Sequence, residues 1–140
     1  MELYQKIVTY FEEKGVFLET SDNFIIHVDF STNVQERLSF VLIPWEDRVY
    51  IVVDNIFQGK AEDVLQMKEL CEQLQEKYAP MKFRVDEKDN IMMMKSVVFL
   101  KKEDVGEQVL KECGRLLNIC EEAYHKFNEI YKNENDIILN

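Results

Sequence analysis

A change of period along the chain limits its fold more than any other feature. Residues 23–30, NFIIHVDF, alternate strictly: Phe24, Ile26, Val28 and Phe30 fall on one side of an extended chain, and Ile25, His27 and Asp29 on the other. RLSFVLI (37–43) sets Leu38, Phe40 and Leu42 against Val41 and Ile43. RVYIVVD (48–54) sets Val49, Ile51 and Val53 against Tyr50, Val52 and Asp54. The links STNVQE and PWED are short and polar. Parallel neighbours would need a much longer crossover, so these three strands are expected to form an antiparallel meander. Pro44 has no N–H for a ladder and is expected to mark the end of the second strand.

Around the meander the period lengthens. Residues 2–14 carry Leu3, Ile7, Tyr10 and Phe11 on one stripe, and Gly15 is placed to end that helix. QGKAEDVLQMKELCEQLQEKY (58–78) repeats Val64, Met67, Cys71, Leu74 and Tyr78 at helical spacing, and Pro80 blocks its continuation. MKFRVDE (81–87) and IMMMKSVVFL (91–100) flank the polar turn KDN and predict a hairpin. A third helix is predicted from Asp104 to Lys132. Asp104 and Glu107 have capping-box spacing, and Val109, Cys113, Leu116, Cys120, Ala123, Phe127 and Ile130 form its seam.

The resulting order is αβββαββα. It predicts a two-layer α+β domain in which a five-stranded antiparallel sheet, with strands near residues 16–30, 37–43, 48–54, 81–87 and 91–100, is packed with helices. A single α+β domain is expected over residues 1–132, with 133–140 as a C-terminal tail.

Strand 91–100 raises the functional question. Ile91, Met93, Val97 and Phe99 share one face, and Met92, Met94, Val98 and Leu100 the other, interrupted only by Lys95 and Ser96. A half-solvated antiparallel strand alternates apolar and polar residues, as MKFRVDE does. Both faces are therefore expected to be covered, and the strand to lie inside the sheet rather than at its edge. One face is expected against helix residues such as Leu65, Cys71 and Leu74. The other gathers Ile25, His27, Val41, Ile43, Tyr50, Val52, Met92 and Met94, too apolar a set to leave in water. The third helix, a second protomer or a bound peptide would cover it. A homodimer is expected, because three helices fall short of two full sheet faces and the third carries a heptad seam suited to a partner helix.

The totals narrow the function further. A formal charge of −10 argues against nucleic acid, and the densest basic groups are only Lys101–Lys102 and the spaced trio Lys82, Arg84 and Lys88. The opening stretch MELYQKIVTYFEEKG is charged and amphipathic rather than a signal peptide, and no apolar run reaches the roughly 18 residues of a membrane span. A cytoplasmic protein with no membrane partner is expected. Cys71, Cys113 and Cys120 occupy apolar positions in helical stretches, which fits buried, reduced thiols. No phosphate loop, G-x-G-x-x-G, G-x-S-x-G, H-E-x-x-H or C-x-x-C pattern occurs, so no catalytic, cofactor-binding or metal-binding residue is assigned. His27 reads as a sheet-face histidine beside Asp29, and His125 as solvent-facing.

With its opening helix ending in EKG, the strand pair around PWEDRVYI and the long closing helix after VVFLKKED, the chain resembles the YbjN family and the class I type III secretion chaperones that share its fold. The resemblance covers residues 2 to about 131 and rests on element order, length and acidity. It implies a non-enzymatic, commonly dimeric module that binds another protein or peptide, chaperone-like or regulatory, with no catalytic residues to carry over. The alternative is a small-ligand or catalytic domain with a pocket between the sheet and the long helix, using His27, Asp29 or Tyr50.

Overall fold

Every strand joins one antiparallel sheet, and every helix lies on the same side of it. The computed structural model describes residues 2–32 and 37–139, with the side chains of 2–32 and 37–129. The elements are α1 (Glu2–Glu13), β1 (Leu18–Thr20), β2 (Ile26–Phe30), β3 (Leu38–Trp45), β4 (Arg48–Gln58), α2 (Val64–Lys77), β5 (Lys82–Asp86), β6 (Ile91–Phe99) and α3 (Val105–Leu139). The sheet order is β1-β2-β3-β4-β6-β5. Residues 33–36 of the polar link lie outside the described residues, as do the side chains of 130–140, which include Ile130 and the span read as a tail.

The α+β class and the antiparallel sheet are as expected, but the sheet has six strands, not five. The stretch read as one strand over 16–30 breaks at Ser21–Ile25, where Ser21 N–H donates to Ile25 O at 3.0 Å and Phe24 N–H to Ser21 O at 3.1 Å. Phe24 takes a left-handed φ of 59° to close this turn. Ser21, Asp22 and Asn23 suit such a turn, because their short polar side chains compete for backbone groups. β4 also runs past Asp54 to Gln58, by a register shift between Val53 and Phe57 that lets both Ile56 and Phe57 face the core. β3 ends one residue beyond Pro44, which lies past Leu42, the first β3 residue of the β2–β3 ladder from that end, so its missing N–H leaves no gap there.

The core forms between one sheet face and the three helices. Ile26, Val28, Phe40, Leu42, Ile51, Val53, Met92 and Met94 are buried with Ile7 and Phe11 of α1, Met67, Leu70 and Leu74 of α2, and Val109, Cys113, Leu116, Cys120 and Ala123 of α3. The seam of α3 is therefore spent inside the fold, and Phe127 stacks on Phe57 with ring centres 4.5 Å apart. Leu65, expected against the sheet, is 67% exposed, one residue off the stripe that Met67, Leu70, Cys71 and Leu74 form. The loop into α3 is not held by the expected Asp104–Glu107 box. Asp104 is left-handed, with φ 56°, and the Gln108 side chain ties the loop by accepting from Lys101 N–H at 3.0 Å and donating to Glu103 O at 2.6 Å.

Candidate partner-binding face

With all three helices on one side, the other side of the sheet has no covering element among the described residues. Cross-strand register defines it row by row. One row runs Glu19, His27, Val41, Val52, Lys95, Lys82 across all six strands. The next runs Ile43, Tyr50, Val97, and the one at the hairpin end Trp45, Arg48, Phe99. On the other side Arg84 stands opposite Met93. Trp45 and Phe99, which flank Arg48 in the hairpin-end row, are 59% and 65% exposed, large apolar surfaces that a solvated sheet would not normally carry in one row.

Of the residues expected on this face, His27, Val41, Ile43, Tyr50 and Val52 are there, and Ile25 is half-buried just before β2. Met92 and Met94 are not: both point into the core, at 0% and 2% exposure, and Met93 takes the outer position between them. The expected cover by α3 is also absent, since α3 packs on the opposite side. His27, Asp29 and Tyr50 do not converge on one pocket between sheet and helix: Tyr50 lines a depression of about 430 Å³ that reaches Glu112 and Arg115 of α3, and neither His27 nor Asp29 lies on its wall. Asp29 is engaged by Arg37 at 2.7 Å and Ser39 at 2.8 Å, and Tyr50 lies two strands and a row away from His27.

The half of the face built from β4, β6 and β5 is concave. A depression of about 710 Å³ is lined by residues including Tyr50, Val52, Met93, Lys82, Arg84 and Lys95, with Asp54 also on its wall. Lys95 Nζ lies 5.2 Å from the Tyr50 ring centre, and the Arg48 guanidinium 4.8 Å from that of Phe99. Lys82 and Arg84, noted in the sequence only as part of a spaced trio with Lys88, alternate with Phe83 as an outward-facing strand pattern requires, and the β5–β6 register brings them to Lys95.

The far edge of the same half is closed to an added strand at one point. Phe83 N–H, in edge strand β5, donates to Gln75 Oε1 of α2 at 2.9 Å. Elsewhere the molecule offers little chemistry. The three cysteines are free and buried; burial and, more weakly, Glu112 and Glu121 push the Cys113 and Cys120 thiols up to about 12. Burial and Glu72 take Cys71 to about 11. Among the described residues no group of three or more His, Cys, Asp and Glu side chains is placed to hold a metal, and no helix is long and apolar enough to cross a membrane.

The domain is thus an antiparallel sheet with helices on one side and a partly apolar, partly cationic surface on the other. Solved structures that share this architecture include those the sequence resemblance pointed to. One is YbjN, a candidate transcription regulator from E. coli, at 9% identity and TM-score 0.56 over 88% of this chain and 86% of that one. Another is the ExsC–ExsE complex, at 12% identity and TM-score 0.52 over 86% and 89%. These likenesses establish the fold. No family model matches the sequence, and no curated protein is a significant sequence match.

Proposed function

We propose that this protein is a non-enzymatic protein-binding module of the cytoplasm, chaperone-like or regulatory, that receives another protein on the open face of its sheet. The observation that carries this reading is the face itself: Tyr50, Val52, Met93, Val97, Phe99 and Trp45 lie on a sheet face that no helix of the described chain covers, interrupted by Lys95 and Arg48. Burying such a surface against a partner is favourable by about 25 cal/mol per Å² of apolar area. The ExsC–ExsE complex supports the reading, because there the same fold occurs in a complex with another protein. The homodimer expected from the sequence is the second arrangement that would cover the face. The described part of the α3 seam that suggested helix pairing, Val109 to Phe127, is spent in the core, which leaves the sheet as the face on which a second copy would supply the cover.

A photocrosslinking residue at Val52 tests the proposal, with the same residue at exposed Gln73 of α2 as control. In cells that make the protein, a protein adduct is expected from position 52 and not from 73. Equal labelling from both positions, or none from 52, refutes it. An adduct of twice the chain mass identifies a second copy as the cover.

A further inference from the structure

The open face has a charge pattern that its apolar content does not explain. The chain carries a net −10, yet Lys82, Arg84 and Lys95 converge on one depression. None of the three has a carboxylate partner within salt-bridge distance among the described residues. Moreover, Lys82 and Lys95 are direct cross-strand neighbours. Like charges opposite each other, roughly 5 Å apart at Cβ, destabilise a sheet. An arrangement that costs stability and leaves cations unpaired in an acidic protein is suited to an anion brought from outside.

We propose that this half of the face docks an acidic, extended segment of another protein, with carboxylates between Lys82, Lys95 and Arg84 and apolar side chains over Tyr50, Val52 and Met93. This rests on the protein-binding reading of the same face and adds the chemistry of the partner. A second copy is disfavoured at this spot: an isologous contact centred on the depression would set the three cations against themselves. A phosphate backbone is disfavoured as well, since three cations make only a short track for it. A segment whose acidic and apolar residues take turns at every second position (i, i+2, i+4) fits both components, because those side chains share one side of an extended chain and repeat there every ~7 Å. Docking on the face rather than by strand addition follows from the Gln75 bond to Phe83 N–H at the neighbouring edge.

The test uses the full chain and three fluorescein-labelled synthetic peptides of about twelve residues with one apolar pattern. The polar positions are Asp/Glu in the first, Gln/Asn in the second and Lys in the third. Fluorescence anisotropy gives the affinities, and Trp45, the only tryptophan and exposed on the same face, reports binding without a label. The acidic peptide is expected to bind at least about tenfold tighter than the neutral one, and to lose most of that advantage between ~0.05 and ~0.5 M NaCl. Combining Lys82→Gln, Arg84→Gln and Lys95→Gln should abolish the preference in a protein whose circular dichroism is unchanged. Lys82→Glu with Lys95→Glu should transfer the preference to the Lys peptide. Equal binding of acidic and neutral peptides overturns the charge selection and leaves the protein-binding reading intact. Tighter binding of an oligothymidylate than of the acidic peptide overturns it in favour of nucleic acid. If no peptide binds while the Val52 crosslinker still captures a protein, the acidic-segment proposal alone is wrong; if both fail, the function falls with it.

Discussion

Met93 and Met94 are consecutive in β6 and face opposite sides of the sheet: Met94 is 2% exposed in the core, while Met93 lines the open depression. The two positions therefore respond differently to the same charge. Met94→Asp strands a carboxylate among Phe83, Val53 and their neighbours, and should cost about 4 kcal/mol or more. Met93→Asp keeps its carboxylate in contact with solvent and near Arg84, and should change stability by about 1 kcal/mol or less. Urea unfolding of both variants measures the difference; equal losses would mean that the outer face is buried as well.

Gly106 of α3 lies against Tyr10 of α1 so closely that an added Cβ would sit 2.3 Å from Tyr10 Cβ. Neither helix backbone can yield without moving the other, so Gly106→Ala should cost about 2–3 kcal/mol through overpacking. Gly114, in the same helix with nothing within 4 Å of such a Cβ, is the internal control. There Ala replaces a residue of poor helix propensity and should stabilise by about 0.5–1 kcal/mol. Thermal melts of the two single variants should shift in opposite directions.

Most of the fold was legible because its periods are long and clean: the meander, the hairpin and the three helices appear in the expected order, although α2 begins only at Val64 and α3 runs on to Leu139, through the span expected as a tail after Lys132. What escaped had local causes. The break at Ser21–Ile25 hides because alternation resumes in phase on its far side. The choice of face in β6 escaped because Lys95 and Ser96 were weighed as equal interruptions. A lysine needs water for its ammonium, whereas a serine hydroxyl can be satisfied inside a core, and Ser96 is indeed 6% exposed. Weighing them so puts Met93 and Lys95 outside and Met92 and Met94 inside. The cationic half of the open face was not legible from charge clustering, since Lys82, Arg84 and Lys95 belong to two strands and meet only through the β5–β6 register.

Cys113 and Cys120, with thiols near 12, should not react with Ellman's reagent at pH 8 in the folded protein, and all three cysteines should react in guanidinium. The pH dependence has a definite sign. Each folded thiol holds its proton more tightly than the unfolded chain, whose ordinary value is 9.0. Their contribution to stability is thus complete below 9.0 and is lost as the pH rises toward about 12. Urea midpoints of the wild type should fall above pH 9, and the fall should be shallower in Cys113→Ala. An equally steep fall in that variant would assign the loss to other groups.

Gln75 guards the β5 edge. Its Oε1 accepts from Phe83 N–H at 2.9 Å, across the gap between α2 and the last strand of the sheet. An unpaired edge N–H is a template for another strand, and a side chain that occupies it blocks that route while satisfying the donor. Gln75→Ala removes the acceptor and should cost about 1 kcal/mol, the net worth of an ordinary hydrogen bond. Gln75→Glu keeps an acceptor at the same reach and should retain most of that stability. The more telling readout is association. With the edge open, Gln75→Ala should show concentration-dependent growth in sedimentation velocity that the wild type and Gln75→Glu lack, and amide exchange at Phe83 should accelerate in the same variant. If Gln75→Ala remains as monodisperse as the wild type while Phe83 exchanges faster, the bond protects the amide but α2 itself shields the edge.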